Sequence, residues 1–140
     1  MLELSLHHVS VPTRDLEIAA AFYENVLGLK RIPRPPFVTV GYWFGVERNQ
    51  IHVIVNHEAS FRPSKSVDSE DIHFALRVED FEAAYSQVKS HGYDEDLPDS
   101  HPKKMLLKRT GRAGFPQLFI MDPDFNTIEI NRAPFEKVAT

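Results

Sequence analysis

Apolar and polar positions alternate in period two, switch to a helical period, and return to period two, and the chain does this twice. Residues 4–11 predict a strand, with Leu6, His8 and Ser10 on one face and His7, Val9 and Val11 on the other. Residues 12–15 read as a turn, in which Thr13 or Asp15 caps a helix over 15–27. Leu16, Ala19, Ala20, Phe22, Tyr23, Val26 and Leu27 form that helix's apolar stripe, and Gly28 stops it. Strands follow at 29–32, 38–45 and 50–55, with an extended loop around Pro33, Pro35 and Pro36. Residues 57–70 are polar and read as a linker. The order then restarts: a strand at 71–78, a helix at 80–91 ended by Gly92, and strands at 104–109, 116–121 and 126–131. The tail 132–140 reads as loose.

The halves share residues as well as order. His8 precedes Asp15-Leu16-Glu17 by seven positions, and His73 precedes Asp80-Phe81-Glu82 by seven. Gln50-Ile51-His52-Val53 aligns with Thr127-Ile128-Glu129-Ile130, setting His52 against Glu129. A repeat this long reads as a duplicated supersecondary unit, not a solenoid. The expected organisation is a single domain over 1–140 made of two modules, about 4–56 and 71–132, joined by the linker 57–70. Each module has one helix to cover one sheet face, so the other face must bury something else.

His8, His52, His73 and Glu129 are mid-strand positions, the latter three flanked by large apolar residues that point the opposite way. If those flanks face the helices, the four polar side chains share the other face. Three imidazoles and a carboxylate suit a divalent transition metal: Zn, Ni, Co, Mn or Fe. Taken singly, a strand histidine is more often a satisfied core or surface residue; the repeat-related placement favours the metal reading. His7 is expected on the opposite face in a structural role. His57, His91 and His101 read as solvated. Tyr42-Trp43-Phe44 reads first as core, although neighbours in a strand face opposite sides. Arg34, Arg77, Lys103, Lys104 and Arg109 are cations able to hold an anionic substrate, although most such side chains serve as solvated surface. Arg77 leads by sharing parity with His73, and Arg34 and Trp43 join it as candidate substrate-binding residues.

Composition narrows the classes. Hydrophobic residues make up 42% and charged residues 26%, which suits a globular chain. A net charge of −4 with no basic run argues against a nucleic-acid binder. No apolar run is long enough for a membrane span, and the N-terminal residues lack a signal peptide's basic flank. Zero Cys excludes disulfides, thiolate ligands and a cysteine nucleophile, and fits a cytoplasmic setting.

His8-Val9-Ser10-Val11, Asp15-Leu16, Phe22-Tyr23, Leu27-Gly28-Leu29, Asp122-Pro123-Asp124 and Ile128-Glu129-Ile130 resemble the vicinal oxygen chelate superfamily, the glyoxalase, bleomycin-resistance and extradiol-dioxygenase group. The resemblance spans about residues 4–132. It implies an α+β fold of two βαβββ modules forming a U-shaped mixed sheet around a metal cavity, with helices on the outer faces. It also implies His8, His52, His73 and Glu129 as metal ligands, and Glu129 or a metal-bound hydroxide as the group that moves a proton. A small-molecule substrate with adjacent oxygens and a homodimer are further implications. His52 departs from the Glu of glyoxalase I and the Gln of the methylmalonyl-CoA epimerase branch. Arg34-Pro35-Pro36-Phe37 with Trp43 looks more like a glyoxalase-like branch of bacteria and plants. Phe125 stands where the family has Gly, so Asn126 is expected to take the positive φ of that turn. The leading expectation is a metal-dependent lyase or isomerase. The alternatives are an Fe(II) extradiol-type dioxygenase, a non-catalytic drug- or metabolite-binding resistance protein, and a thiol transferase of the fosfomycin-resistance kind.

Overall fold

A computed structural model of the chain describes residues 1–63 and 66–135. Its fold is α+β, with two four-stranded mixed sheets, each accompanied by one α-helix. The chain divides into two compact units: Met1–Pro63 with Asp122–Asp124, and Ser64–Met121 with Phe125–Thr140. Part of the predicted linker (64–65) and of the predicted loose tail (136–140) lies outside the described residues.

In the first unit the elements are β1 (His8–Thr13), α1 (Leu16–Ala21), β2 (Lys30–Ile32), β3 (Gly41–Val46) and β4 (Asn49–Val55). The sheet order is β1-β4-β3-β2, with β1 and β4 parallel and the other pairs antiparallel. β1 starts later and ends later than the alternation predicts, because Pro12 and Thr13 stay in the strand. An edge strand tolerates Pro12, whose missing N–H withdraws nothing from the ladder's interior. Asp15, not Thr13, caps α1; its carboxylate accepts from the Glu17 and Ile18 amides, both at 3.1 Å. The predicted single helix is α-helical only to Ala21 and continues as one π-turn, Phe22–Val26. The Leu27 amide reaches the Phe22 carbonyl at 3.2 Å. The wider turn carries the consecutive rings of Phe22 and Tyr23 inward together, both buried and edge to face. Gly28 then takes a φ of +68°, which ends the helix at no steric cost. The core under α1 is Ala19, Ala20, Tyr23, Phe44, Ile51 and Val53.

The second unit has β5 (His73–Arg77), α2 (Phe81–Ser90), β6 (Leu106–Lys108), β7 (Gln117–Met121) and β8 (Thr127–Asn131). Its order, β5-β8-β7-β6, and its strand directions match the first sheet. Asp80 caps α2 through the Ala83 amide at 2.9 Å. Phe81 and Val88 are buried, as are Leu118, Ile120, Ile128 and Ile130 of the sheet.

The turn before β8 departs from expectation. Phe125 itself takes the positive φ, +65°, rather than Asn126. A bulky residue there is strained by about 1–2 kcal/mol. The strain is offset by its ring, which packs on Val67, Phe119 and Met121. We expect Phe125→Ala to be less stable than Phe125→Gly, inverting the usual order. Both lose the ring, and only Gly relieves the backbone. Urea midpoints of the two variants decide it, and equal midpoints would remove the strain.

Candidate metal and substrate site

Register puts the candidate ligands at matching places in the two sheets. Ser10 is the β1 partner of His52, and His8 lies two residues before it; Ala75 is the β5 partner of Glu129, and His73 lies two residues before it. His8 thus neighbours His52, and His73 neighbours Glu129, on the strand face opposite the apolar flanks. Ile51, Val53, Ile128 and Ile130 fill the cores, as the alternation predicts, but Ile72, the expected flank of His73, is 91% exposed because β5 begins only at His73.

In the first unit three flat rings form a column. His8 stacks on His52 with centroids 4.0 Å apart, and His52 stacks on Trp43, its β3 partner, again at 4.0 Å. His52 is buried at 6% exposure. Its Nε2 lies 2.8 Å from Gln50 Oε1; as donor to that amide oxygen it leaves a lone pair on Nδ1. Burial, with the nearby charges of His8, His7 and Arg34, lowers the His52 pKa from 6.5 to about 4. The ring is therefore neutral at pH 7, the form a metal ligand requires. In the metal-free protein the unfolded chain takes up the proton near pH 6.5, and the folded chain resists it until about pH 4. Stability is thus complete above pH 6.5 and falls as pH drops toward 4, by roughly 2 kcal/mol after screening. Urea unfolding at pH 7 and pH 4.5 measures this loss. The variant His52→Phe keeps the stack and is expected to show a smaller loss.

His7 corrects the parity argument. Because β1 begins at His8, residue 7 is outside the strand, and alternation does not govern it. Its Nδ1 is 2.9 Å from His8 Nδ1, and both rings line one cleft. Trp43 lines the same cleft, whereas Phe44 is core and Tyr42 donates from its hydroxyl to Glu17 at 2.7 Å.

In the second unit Glu129 is buried and its Oε2 lies 3.9 Å from His73 Nε2. His73 Nδ1 sits 2.7 Å from the Asp71 carbonyl and must donate to it, so the Nε2 lone pair is left on the Glu129 side. Gln117 Nε2 donates to the other carboxylate oxygen, Oε1. These donor states fit a nitrogen- and oxygen-liganded metal. His8 and His52 form a pair within the first unit and His73 and Glu129 a pair within the second; among the described residues no group of three or more His, Asp or Glu stands close enough together to hold an ion.

The predicted cations separate. Arg34 lines the cleft, donating to the Thr39 carbonyl at 2.8 Å and to its hydroxyl at 2.9 Å. Arg77, at the far end of β5 from His73, donates to the Ala133 carbonyl and to Glu79. Lys103 and Lys104 serve the carbonyls of His91 and Glu95, and Arg109 pairs with Glu82. Gln50 and Gln117 are the polar neighbours that the sequence reading missed. Gln50 shares parity with His52, which was a usable signal; Gln117 reaches Glu129 only through the β7–β8 register.

The model of the Glyoxalase/Bleomycin resistance protein/Dioxygenase superfamily matches residues 5–130. The chain belongs to this superfamily. A curated superfamily-like relative, Glyoxylase I 4 of Arabidopsis thaliana, is 30% identical over 128 residues, 90% of this chain and 69% of that protein. A Bacillus anthracis protein named for the glyoxalase family has a similar structure, with a TM-score of 0.73, 22% identity and coverage of 96% and 98% of the two chains. The fosfomycin resistance protein FosX of Listeria monocytogenes follows at 0.69, with 14% identity and coverage of 96% and 97%. At these identities the two structures speak for the superfamily fold. Among the described residues no helix is long and apolar enough to cross a membrane.

Proposed function

We propose that the chain is a metal-dependent enzyme of the lyase or isomerase type, acting on a small substrate with adjacent oxygens, with His8, His52, His73 and Glu129 as its metal ligands. The observation that carries this reading is the shared register: in each sheet a first-strand histidine neighbours a ligand-type residue on the last strand. A bound divalent metal supplies Lewis acidity toward an enolate or oxyanion. Glu129, beside His73 and held through one oxygen by Gln117, is the group that accepts or returns a proton. Trp43 and Arg34 contribute to the substrate cleft, and Arg77 orders the end of β5 by its bonds to Glu79 and Ala133.

The chain is further proposed to work as a cytoplasmic homodimer. Leu2, Leu4 and Leu6, at 82%, 86% and 70% exposure, precede β1, and β1 and β5 are both sheet-edge strands. Light scattering in solution tests the dimer, and a monomer at micromolar concentration overturns it.

Metal content per chain, measured by mass spectrometry on tag-free protein purified without chelators, tests the enzyme reading. About one equivalent of Zn, Ni, Co or Mn supports it, and iron redirects it to the dioxygenase. No uptake after reconstitution with several ions overturns it. The second reading would then stand, a ligand-binding module without catalysis, which the aromatic cleft of the first unit favours.

A further inference from the structure

The cleft that His8 and His52 share with Trp43 has a composition of its own. Its volume is about 390 Å³, at the lower end of the range for small-molecule sites. The apolar wall comes from Phe37, Trp43 and Ile54. Every ionisable group on it is a base: Arg34, His7, His8 and His52, with no Asp or Glu. The His8–His52–Trp43 column adds flat ring surface and electropositive ring edges. Arg34 is the one permanent cation. Two of its arms are fixed by Thr39, which closes the Pro-rich segment carrying Arg34, Phe37 and Thr39 into a stiff rim. Its Nε is buried beside Gly41 with no hydrogen-bond partner, so the guanidinium meets the cleft through its terminal nitrogens.

We propose that this cleft selects a small flat carboxylate, with the aryl or unsaturated body against Phe37 and Trp43 and the carboxylate on Arg34. A phosphate dianion calls for several converging donors, and here one guanidinium, already half committed to Thr39, faces a largely apolar wall. A carboxylate matches that single fork, and the charge of the anion meets only bases. The proposal deepens the enzyme reading by naming its substrate class, and it rests on that reading for the neighbouring metal, but not for binding itself.

Trp43 is the chain's one tryptophan, so its fluorescence reports this cleft alone. Metal-free protein is titrated with benzoate, with its neutral isostere benzamide, and with acetate, which has the charge but no flat body. The expected result is saturable change with benzoate at concentrations at least tenfold below those needed for benzamide or acetate. Arg34→Met is expected to raise the benzoate dissociation constant tenfold or more, and Arg34→Lys to recover part of that loss. Benzamide binding as tightly as benzoate, or an Arg34→Met protein with unchanged benzoate affinity and an intact thermal transition, overturns the proposal. Should Arg34→Met fail to fold, the benzoate–benzamide comparison on the wild-type protein decides. Arg34-dependent benzoate binding in a protein that takes up no metal leaves this proposal standing and removes the enzyme reading; metal uptake with no benzoate preference does the reverse.

Discussion

Glu129→Gln is expected to lower transition-metal affinity by about 100-fold or more, and Gln117→Ala by about 10-fold to 100-fold. The chain has no Cys, so no thiolate can take over, and Glu129 is the one carboxylate in the proposed set. The Gln variant keeps the volume and the acceptor oxygen for Gln117 at a site that is 7% exposed, so the substitution removes charge without opening a cavity. Gln117 acts one step out: it holds Oε1, leaving Oε2 on the side of His73. Its loss frees the carboxylate to rotate and leaves the charge intact. His73→Ala belongs with the larger effect, because it removes the nitrogen whose lone pair faces Glu129. Competition against a chelator of known affinity gives all three constants. Equal affinity in Glu129→Gln and the wild type would remove Glu129 from the metal site. A Gln117→Ala effect as large as that of Glu129→Gln would mean that Gln117 is itself a ligand.

What the sequence made legible follows from alternation and periodicity. The strand parity of Ile51, His52 and Val53, and of Ile128, Glu129 and Ile130, put the apolar flanks in the cores. The repeat aligned His8 with His73 and His52 with Glu129, and the β1–β4 and β5–β8 registers place these residues at matching positions. The places that alternation misjudged are those where a strand or helix is not regular. His7 lies one residue before β1, so its ring joins His8 instead of turning away. Phe22 and Tyr23 ride on a π-turn, for which a 3.6-residue pattern has no signature. Phe125 keeps a positive φ because tertiary packing of its ring outweighs a local preference. Side-chain partners across strands, such as Gln117 with Glu129, needed the β7–β8 register, which no single segment encodes.

Asp122-Pro123-Asp124 carried much of the family resemblance, and its carboxylates make buried bonds within the fold. Asp122, 3% exposed, accepts from the Tyr23 hydroxyl at 2.7 Å and from the Asp124 amide at 2.9 Å. Asp124, 6% exposed, accepts from the Thr13 hydroxyl at 2.6 Å and the Arg14 amide at 3.1 Å, with the Arg14 guanidinium 3.6 Å away. Asp122→Ala is therefore expected to destabilise the protein by about 3 kcal/mol, since it takes a charged acceptor from two buried donors at once. Tyr23→Phe removes only the hydroxyl and is expected to cost about 1–2 kcal/mol, its ring still stacked on Phe44. The two residues share one bond, so their effects must not add. In the Tyr23→Phe background, Asp122→Ala should cost about 1 kcal/mol less than in the wild type. A double-mutant cycle on urea unfolding of the metal-free protein measures that coupling. Strict additivity would mean that the hydroxyl and the carboxylate stabilise the fold through separate partners, and the motif would then need another physical reason for joining β7 to β8 in this form.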